Sequence, residues 1–438
     1  MEERKKMNNI QIYKKVTLIS IGITLLLLFS LTNAVFSQDV KPFKMGAVYP
    51  MSGATAFVSE GIYLGHQVAV KELMEKGGFL GRPVELILRD DGGTSDLNTR
   101  YCRELILNEG VEWLLSGYGT TVSLASAAVA NQFKVPVMNH GGVSEVITVG
   151  EANRYSFRYC YTSRAMGQQM AQIIVNEMTK DIEKPRLYWF AWDQEFGRDV
   201  YKYLIPELKR LNPNVVLVGE SWPRAGETDY APFISHMISL QPDVIMNGVW
   251  AGGIVAMLKQ GSARGLWDIS KIIGVSELGA PEFRQFLADE MPVGAWGNTY
   301  DDPTWPDNEE QRRIHDLYYE FTGKPRTEPV PGEFSTGYYM VHLINAAMEK
   351  AGTSETEKVI EAMEEISINS IWGPITVRDF DHQVMSYNVW GPTIAKEGLP
   401  YKVLDKERIF VTNTKDYMYT EEEWLERRKA VGKGYLEF

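Results

Sequence analysis

The chain has 438 residues, more than one ordinary hydrophobic core accommodates, and this length predicts two domains. Hydrophobic residues make up 44% of it and charged residues 23%, which is the composition of a globular protein with a water-exposed surface. The formal net charge of −12 at pH 7 argues against nucleic acid and against an anionic membrane surface as binding partners.

The N-terminus has the three-part layout of a secretory signal peptide. A basic segment precedes an apolar run over residues 16–31, and small residues around Ala34 and Ser37 offer cleavage sites. An uncleaved membrane anchor is the alternative, although the apolar run is short for a membrane span. Removal of residues 1–37 takes away five basic and two acidic residues, so that the formal charge falls from −12 to −15. The sequence therefore predicts an exported, acidic protein.

The chain contains two cysteines, Cys102 and Cys160. In an oxidising compartment they could form a disulfide, but their spacing does not show that the two side chains meet. The alternative is two free buried thiols, since Cys102 falls in a helical pattern and Cys160 near the end of a predicted strand. Both states stay open at the level of the sequence.

From residue 44 onward, short apolar runs alternate with amphipathic helical patterns, which predicts βαβ units and parallel sheets. In the first half, strands are predicted at residues 44–49, 84–88, 111–115, 135–138 and 155–159. Helices are predicted at residues 62–76, 97–108, 122–133 and 165–178. This order indicates one doubly wound α/β unit.

The alternation restarts at residue 187, which predicts a second α/β half. Its strands are predicted at residues 187–191, 215–218, 244–246 and 272–273, with helices starting at Arg198, at Tyr230 and after Gly253. An extended segment at 293–300, helices at 308–321, 334–351 and 356–365, strands at 373–378 and 387–394 and a helix at 417–428 complete the chain. No glycine-serine linker separates the halves, which favours domains joined by crossing strands.

Two strand ends in the first half carry the residue types of a ligand site. The strands at 111–115 and 135–138 both lead into glycine and small polar residues, and a helix follows the first of them. In an open α/β sheet, ligands bind beyond the carboxyl ends of the strands, where helix N-termini present free N–H groups. These two ends therefore predict a floor for an anionic group of a small ligand.

Segments spread along most of the chain carry a family resemblance. They are FKMGAVYPMSG (43–53), GGFLGRPVEL (77–86), RDD (89–91), SGYGTT (116–121), VPV (135–137), FR (157–158), DQEFG (193–197), PDVI (242–245), KQ (259–260) and GPITV (373–377). In order and spacing they resemble type I periplasmic binding proteins. These are the solute receptors of ABC importers for leucine, isoleucine, valine and related compounds.

The resemblance implies an α/β fold of two doubly wound parallel-sheet lobes, joined by three crossover segments near Cys160, Asn298 and Asp381. Residues 43–160 with 299–380 would form lobe 1, residues 161–298 with 381–410 would form lobe 2, and residues 411–438 would be a C-terminal extension. The ligand would lie in the interlobe cleft, which closes around it by a hinge motion.

The resemblance also implies a carboxylate site at the two strand ends. Thr120 and Thr121 align with the hydroxyl residues that hold the ligand carboxylate in amino-acid-binding relatives, and a helix N-cap is the alternative role. The second strand end supplies Asn139, His140, Gly141, Gly142 and Ser144. Val143 stands where relatives usually have a hydroxyl residue, which argues against an ordinary α-amino-acid pose.

The other half of the cleft is expected to hold the rest of the ligand. Phe196 and Trp250 align with aromatic walls, and Phe57 in the first loop is a further lining candidate. Glu277 aligns within one residue of the acid that accepts the ligand ammonium in amino-acid-binding relatives. Such an acid is needed there because a buried amine requires a carboxylate partner. The alternative for Glu277 is a solvated loop glutamate.

These observations predict a periplasmic substrate-binding protein rather than an enzyme. The sequence lacks the phosphate-binding loop, dinucleotide-binding, nucleophile-elbow and zinc-protease motifs, and its histidines show no metal-ligand spacing. The expected partners are a small carboxylate-bearing solute and an ABC permease in the inner membrane, with no cofactor, no metal and a monomeric state. The alternative ligand is an amine-free carboxylic acid, with or without an aromatic ring, or an amide. A sensory ligand-binding domain and a hydrolase are alternative functions.

Overall fold

The computed structural model describes residues 40–53, 55–275 and 277–436, so the predicted signal peptide lies outside the described residues. The first sheet consists of β1 (Phe43–Tyr49), β2 (Val84–Asp90), β3 (Trp113–Ser116), β4 (Val137–Asn139) and β5 (Ser156–Arg158). Its strand order is β2–β1–β3–β4–β5, and every pair is parallel. The accompanying helices are α1 (Ala56–Glu75), α2 (Ser95–Glu104) and α3 (Thr120–Phe133).

The second sheet begins with five parallel strands. They are β6 (Arg186–Phe190), β7 (Val216–Ser221), β8 (Val244–Asn247), β9 (Lys271–Gly274) and β10 (Trp296–Thr299). The helices of this half are α4 (Ser163–Ile173), α5 (Glu195–Leu211), α6 (Ala231–Leu240), α7 (Ala251–Ser262) and α8 (Pro281–Leu287). Near-continuous apolar strands such as β8, which is buried throughout, are what a parallel sheet covered on both faces requires.

The remaining chain adds helices, a small antiparallel sheet and three further strands. The helices are α9 (Glu309–Thr322), α10 (Phe334–Ala351) and α11 (Thr356–Met363). The small sheet consists of β11 (Ser367–Ser370), β12 (Gly373–Val377) and β13 (Val384–Met385). The second sheet then continues, by antiparallel pairing, with β14 (Tyr387–Ile394), β15 (Val403–Leu404) and β16 (Phe410–Asn413).

The register of the first sheet aligns the residues that lead into the predicted anion floor. Val48 pairs with Ser116, Ser116 with Asn139, and Asn139 with Arg158. The carboxyl ends of β1, β3, β4 and β5 therefore meet at one edge of the sheet, where the loops after β3 and β4 lie side by side.

Helix α10 packs against α1 through two glycines. A Cβ at Gly65 would lie 2.2 Å from the carbonyl oxygen of Phe334, and a Cβ at Gly337 would lie 2.0 Å from that of Ile62. The contact is completed by the buried His66, whose Nδ1 lies 2.8 Å from the carbonyl oxygen of Gly337. Larger residues at either glycine would separate the two helix backbones, so this contact attaches the helices after β10 to the first sheet.

Sheet membership gives three places where the chain passes between the first-half structure and the second sheet. The chain leaves the first sheet after β5, leaves the second sheet after β10, and returns to it at β14. Thr299 lies in the second sheet, and β13 still pairs with β12. The exact lobe boundaries, 43–160 with 299–380 and 161–298 with 381–410, stay a prediction.

The predicted C-terminal extension, residues 411–438, is joined to the body by defined contacts. Its first residues belong to β16, and α12 (Glu421–Ala430) begins with a capping box between Thr420 and Glu423. Trp424 of α12 is fully buried and donates its indole N–H to the carbonyl oxygen of Thr148, at 2.6 Å. The extension therefore packs against the segment that follows β4.

Most predicted elements match the structure in type and differ at their ends. The helix expected at 97–108 is α2, which continues as a π-helical turn, Leu105–Glu109, and α8 was not predicted. Cys102 and Cys160 are free buried thiols, which settles the alternative that the sequence left open. Among the described residues, no helix is both long and apolar enough to cross a membrane.

Candidate ligand-binding site

A cavity of about 370 Å³ opens beyond the carboxyl ends of parallel strands from both sheets. This volume is typical of small-molecule sites in proteins. The cavity is lined by several of the residues expected from the sequence, namely Thr120, Thr121, Gly141, Phe196, Trp250 and Glu277. The other expected residues, Asn139, His140, Gly142, Ser144 and Phe57, do not line it.

The N-terminus of α3 forms one wall of the cavity. Gly119 is the N-cap with φ 106°, and no side chain caps the helix. Thr120 is 7% exposed, and among the described residues its Oγ1 has no hydrogen-bond partner. The first N–H groups of a helix also lack intrahelical partners. This wall therefore offers a hydroxyl and backbone N–H groups to an anion, and Thr120 is not used as the helix cap.

Gly141 closes the wall beside α3. Its φ of 80° lies in the left-handed region, and a Cβ there would come within 2.9 Å of the Tyr118 ring and 3.3 Å of the Gly119 nitrogen. The glycine therefore allows the loops after β3 and β4 to touch. The apolar Val143, two residues further along the chain, also lines the cavity, in the place where the resemblance predicts a hydroxyl.

The polar residues expected beside Gly141 are bonded elsewhere in the protein. Asn139 accepts a hydrogen bond from the Ser126 hydroxyl at 2.6 Å, and Ser144 donates to Asp199 at 3.1 Å. The carbonyl oxygen of Gly142 accepts from Arg158 at 3.3 Å. These side chains and this carbonyl group hold the loop after β4 in place, so they support the site without facing it.

Aromatic side chains form the facing wall. Trp250 is the N-cap residue of α7, and its ring centroid lies 6.0 Å from that of Tyr118 and 5.5 Å from that of Trp192, both in edge-on geometry. Phe196 comes from the first turn of α5. Within the described residues, the buried Nε1 of Trp250 has no hydrogen-bond partner. A buried indole N–H usually has one, so this donor is free for a ligand.

Glu277 lies in the cavity wall with both carboxyl oxygens engaged. Tyr161 donates to Oε1 at 2.8 Å and Tyr118 donates to Oε2 at 3.0 Å. The backbone N–H of Glu277 donates to the Asn298 side chain at 3.0 Å, and its φ is 62°. Burial, followed by the charge of Glu333, raises the pKa of Glu277 to about 8. The alternative of a solvated loop glutamate is wrong, because Glu277 is 6% exposed.

Two more buried acids and a histidine lie around Glu277. Burial, with Glu282 as the second cause, raises the pKa of Glu333 well above its usual value, and burial raises that of Glu282 to about 7. Nε2 of His140 lies 3.0 Å from Oε2 of Glu333, and burial lowers the pKa of His140 to about 4. His140 is therefore uncharged at neutral pH, and its contact with Glu333 is not a salt bridge.

Phe57 contacts the opposite half of the protein instead of the cavity. Its ring, on α1, lies edge-on to Phe283 and Phe286 of α8, with centroid distances of 5.1 Å to each. Helix α1 packs with the first sheet, whereas α8 lies between β9 and β10 of the second. The aromatic contact thus bridges the two halves.

We predict that Phe57→Ala weakens ligand binding about threefold to tenfold, since an aromatic pair contributes about 0.5–1.5 kcal/mol beyond its buried area. The loss acts on the closed form, which the ligand selects, and not on a ligand contact. Titration calorimetry of the variant measures it. Phe321→Ala, on the partly exposed face of α9, is the control that should bind like the wild type. Equal affinities of the Phe57 variant and the wild type would contradict the bridging role.

Several residues of the site were missed from the sequence. Tyr118 stands inside the SGYGTT segment and was open to prediction as a neighbour of Thr120. Tyr161, Glu282 and Glu333 carry no local signal, because they come from separate parts of the chain and meet only in the folded protein.

Comparison with known proteins gives consistent matches over most of the chain. The model of the periplasmic binding protein family matches residues 42–390. Leu/Ile/Val-binding protein homolog 8 of Brucella abortus (strain 2308) is 21% identical over 343 residues, covering 77% of this chain and 84% of that protein.

Solved structures share the fold. A solute binding protein of an ABC transporter from Rhodopseudomonas palustris BisB5, in complex with 3,4-dihydroxybenzoic acid, has a TM-score of 0.74 and 22% identity, covering 84% of this chain and 97% of that one. The leucine binding protein LivK from Thermotoga maritima has a TM-score of 0.71 and 22% identity, covering 85% of this chain and 99% of that one.

Proposed function

Because the chain belongs to the periplasmic binding protein family, we propose that it is the extracytoplasmic substrate-binding protein of an ABC importer. It binds a small carboxylate-bearing solute in the cavity between α3 and the aromatic wall of Phe196 and Trp250. The site acts by binding alone, with no cofactor, and the loaded protein delivers the solute to a permease in the inner membrane. The predicted signal peptide supports a periplasmic location. The proposed oligomeric state is a monomer.

One observation carries the carboxylate assignment: the unpartnered Oγ1 of Thr120 at the start of α3. A buried hydroxyl without a partner is costly in a folded protein, and a ligand that accepts its hydrogen bond removes that cost. The positive end of the helix dipole favours an anion at the same place. The ligands that the names of the two solved relatives state, a dihydroxybenzoic acid and leucine, both carry a carboxyl group.

Two ligand classes share this carboxylate. A branched-chain or other amino acid would place its ammonium group on Glu277 and its side chain against Phe196 and Trp250. An amine-free acid, aromatic or aliphatic, would need no partner at Glu277. The two tyrosine hydroxyls that already occupy both Glu277 oxygens favour the second class.

We predict that small carboxylates raise the melting temperature of the purified protein, whereas matched alcohols do not. A ligand bound only by the folded state, at about 100 times its Kd, adds about 2.7 kcal/mol to the free energy of unfolding. The pair 3-phenylpropanoate and 3-phenylpropanol isolates the carboxylate, and a panel of amino acids and aromatic acids extends the screen in a thermal-shift assay. The absence of a shift with every carboxylate would contradict the proposed function.

A further inference from the structure

The cavity offers a ligand mainly hydrogen-bond donors. Among the described residues, the cavity-lining residues with a buried, unpartnered side-chain N or O atom are Thr120 (Oγ1) and Trp250 (Nε1). An indole nitrogen can only donate, and the N–H groups in the first turn of α3 can also only donate. These donors come from both sides of the cleft, so they suit a ligand rich in acceptor atoms.

Neither of the two carboxyl groups in the described lining is both buried and without a hydrogen-bond partner. The carboxyl oxygens of Glu277 accept from Tyr161 and Tyr118, one hydroxyl to each oxygen. The other carboxyl group of the lining, Glu195, is exposed in the first turn of α5, where the helix dipole stabilises its charge. A buried ammonium group needs several acceptors, since an unpaired buried charge is expensive.

The groups around Glu277 also favour the protonated form of its carboxyl group. The titratable groups that face it are Tyr118, Tyr161, His140, Tyr300, Glu282 and Glu333. None of them is cationic at neutral pH, because burial lowers the pKa of His140 to about 4. With a proton on Glu277, this carboxyl group neither repels a carboxylate ligand nor calls for an ammonium group.

We infer that the ligand is an organic anion without an ammonium group, and that Glu277, held between Tyr118 and Tyr161, is a wall of the cavity and not an amine receptor. This inference rests on the proposed function, since it concerns the same cavity and the same ligand carboxylate. It names the substrate class: small organic acids whose remaining polar groups accept hydrogen bonds.

The first experiment compares matched acids on the wild-type protein by titration calorimetry at neutral pH. The probes are L-phenylalanine, 3-phenylpropanoate and phenylpyruvate, and L-leucine, 4-methylpentanoate and 4-methyl-2-oxopentanoate. The three acids of a set share one carbon skeleton. At the carbon next to the carboxylate, the first carries an amine, the second carries no polar group, and the third carries a carbonyl oxygen, which is a hydrogen-bond acceptor. In the set that binds, we expect the amine-free acids to bind at least about tenfold more tightly than the amino acid, because the amine would be left without a partner.

Tighter binding of an amino acid than of its amine-free counterparts would overturn the inference and leave the solute-binding function intact. If neither these probes nor any carboxylate of the thermal-shift panel bound, the proposed function itself would fall, and this inference with it. The two failures are therefore distinguishable.

Variants supply an independent measurement. Glu277→Gln keeps the shape of the side chain, and we expect it to change the Kd of an amino acid and of its amine-free counterpart by the same factor, within about threefold. If the loss of affinity were at least about thirtyfold greater for the amino acid than for its amine-free counterpart, Glu277 would hold the amine.

Trp250→Phe removes only the indole ring's N–H and pyrrole part, and it should weaken binding of the acids about threefold to tenfold. No change in that variant would also count against a donor-lined cavity.

Discussion

Replacing Thr120 by valine is expected to weaken the binding of a carboxylate solute by about 10- to 100-fold, the range of a hydrogen bond to a charged group. Valine has nearly the shape of threonine, so the substitution removes the hydroxyl and leaves the wall of the cavity in place. The hydroxyl has no partner among the described residues, and the free protein loses no hydrogen bond. Titration calorimetry with the tightest-binding acid measures the change.

The matched control is Thr356→Val. Thr356 is also the first residue of a helix, α11, but it does not line the cavity. Its variant should bind the acid like the wild type, which separates the ligand contact from any general effect of valine at a helix start. Equal affinities of the Thr120 variant and the wild type would show that the carboxylate lies elsewhere in the cavity.

The melting temperature of the ligand-free protein is expected to fall by several degrees between about pH 5 and about pH 9. In the folded protein, burial raises the pKa of Glu277 to about 8 and that of Glu282 to about 7, and it raises that of Glu333 well above its usual value. Above the unfolded pKa the folded state binds more protons than the unfolded state, so stability decreases as the pH rises through the folded values. Below the unfolded pKa this contribution is fully present.

Glu333→Gln tests the cause of this pH dependence. The amide keeps the shape of the protonated acid and removes its titration, so the variant should melt well above the wild type at high pH and close to it near about pH 5. Glu60→Gln, at an exposed position of α1, is the control and should follow the wild-type curve. Parallel curves of the wild type and the Glu333 variant would show that the buried acids do not set the pH dependence.

The fold was accessible from the sequence because its signals are local. Runs such as residues 244–246 are short and apolar throughout, and helical spacing follows them. This local pattern is typical of parallel strands covered by helices. The family match then confirms the α/β fold and the periplasmic binding protein resemblance. Helix α8 was missed, because its seven residues are too few for a helical period to stand out.

Residues of the candidate site could be predicted from the sequence only where a single segment of the chain carries the signal. Thr120 and Gly141 lie within a few residues of the ends of β3 and β4, so the strand ends and their glycines indicated them. Asn139, at the end of β4, and Ser144, in the segment after it, are also small polar residues, yet their side chains are hydrogen-bonded inside the protein. Which side of a loop faces the cavity depends on packing against Ser126 and Asp199, and no local pattern records that.

The sequence by itself therefore determined the βαβ alternation and the restart that makes two halves, and it predicted a candidate anion site at the start of α3. Periodicity and helix termini decide these within a few residues of chain. Only the tertiary structure decided the state of Glu277. Its two hydrogen bonds come from Tyr118 and Tyr161, and the acid beside it, Glu333, from a later helix end. Burial sets the charge of a carboxyl group, and burial is a property of everything that packs around it.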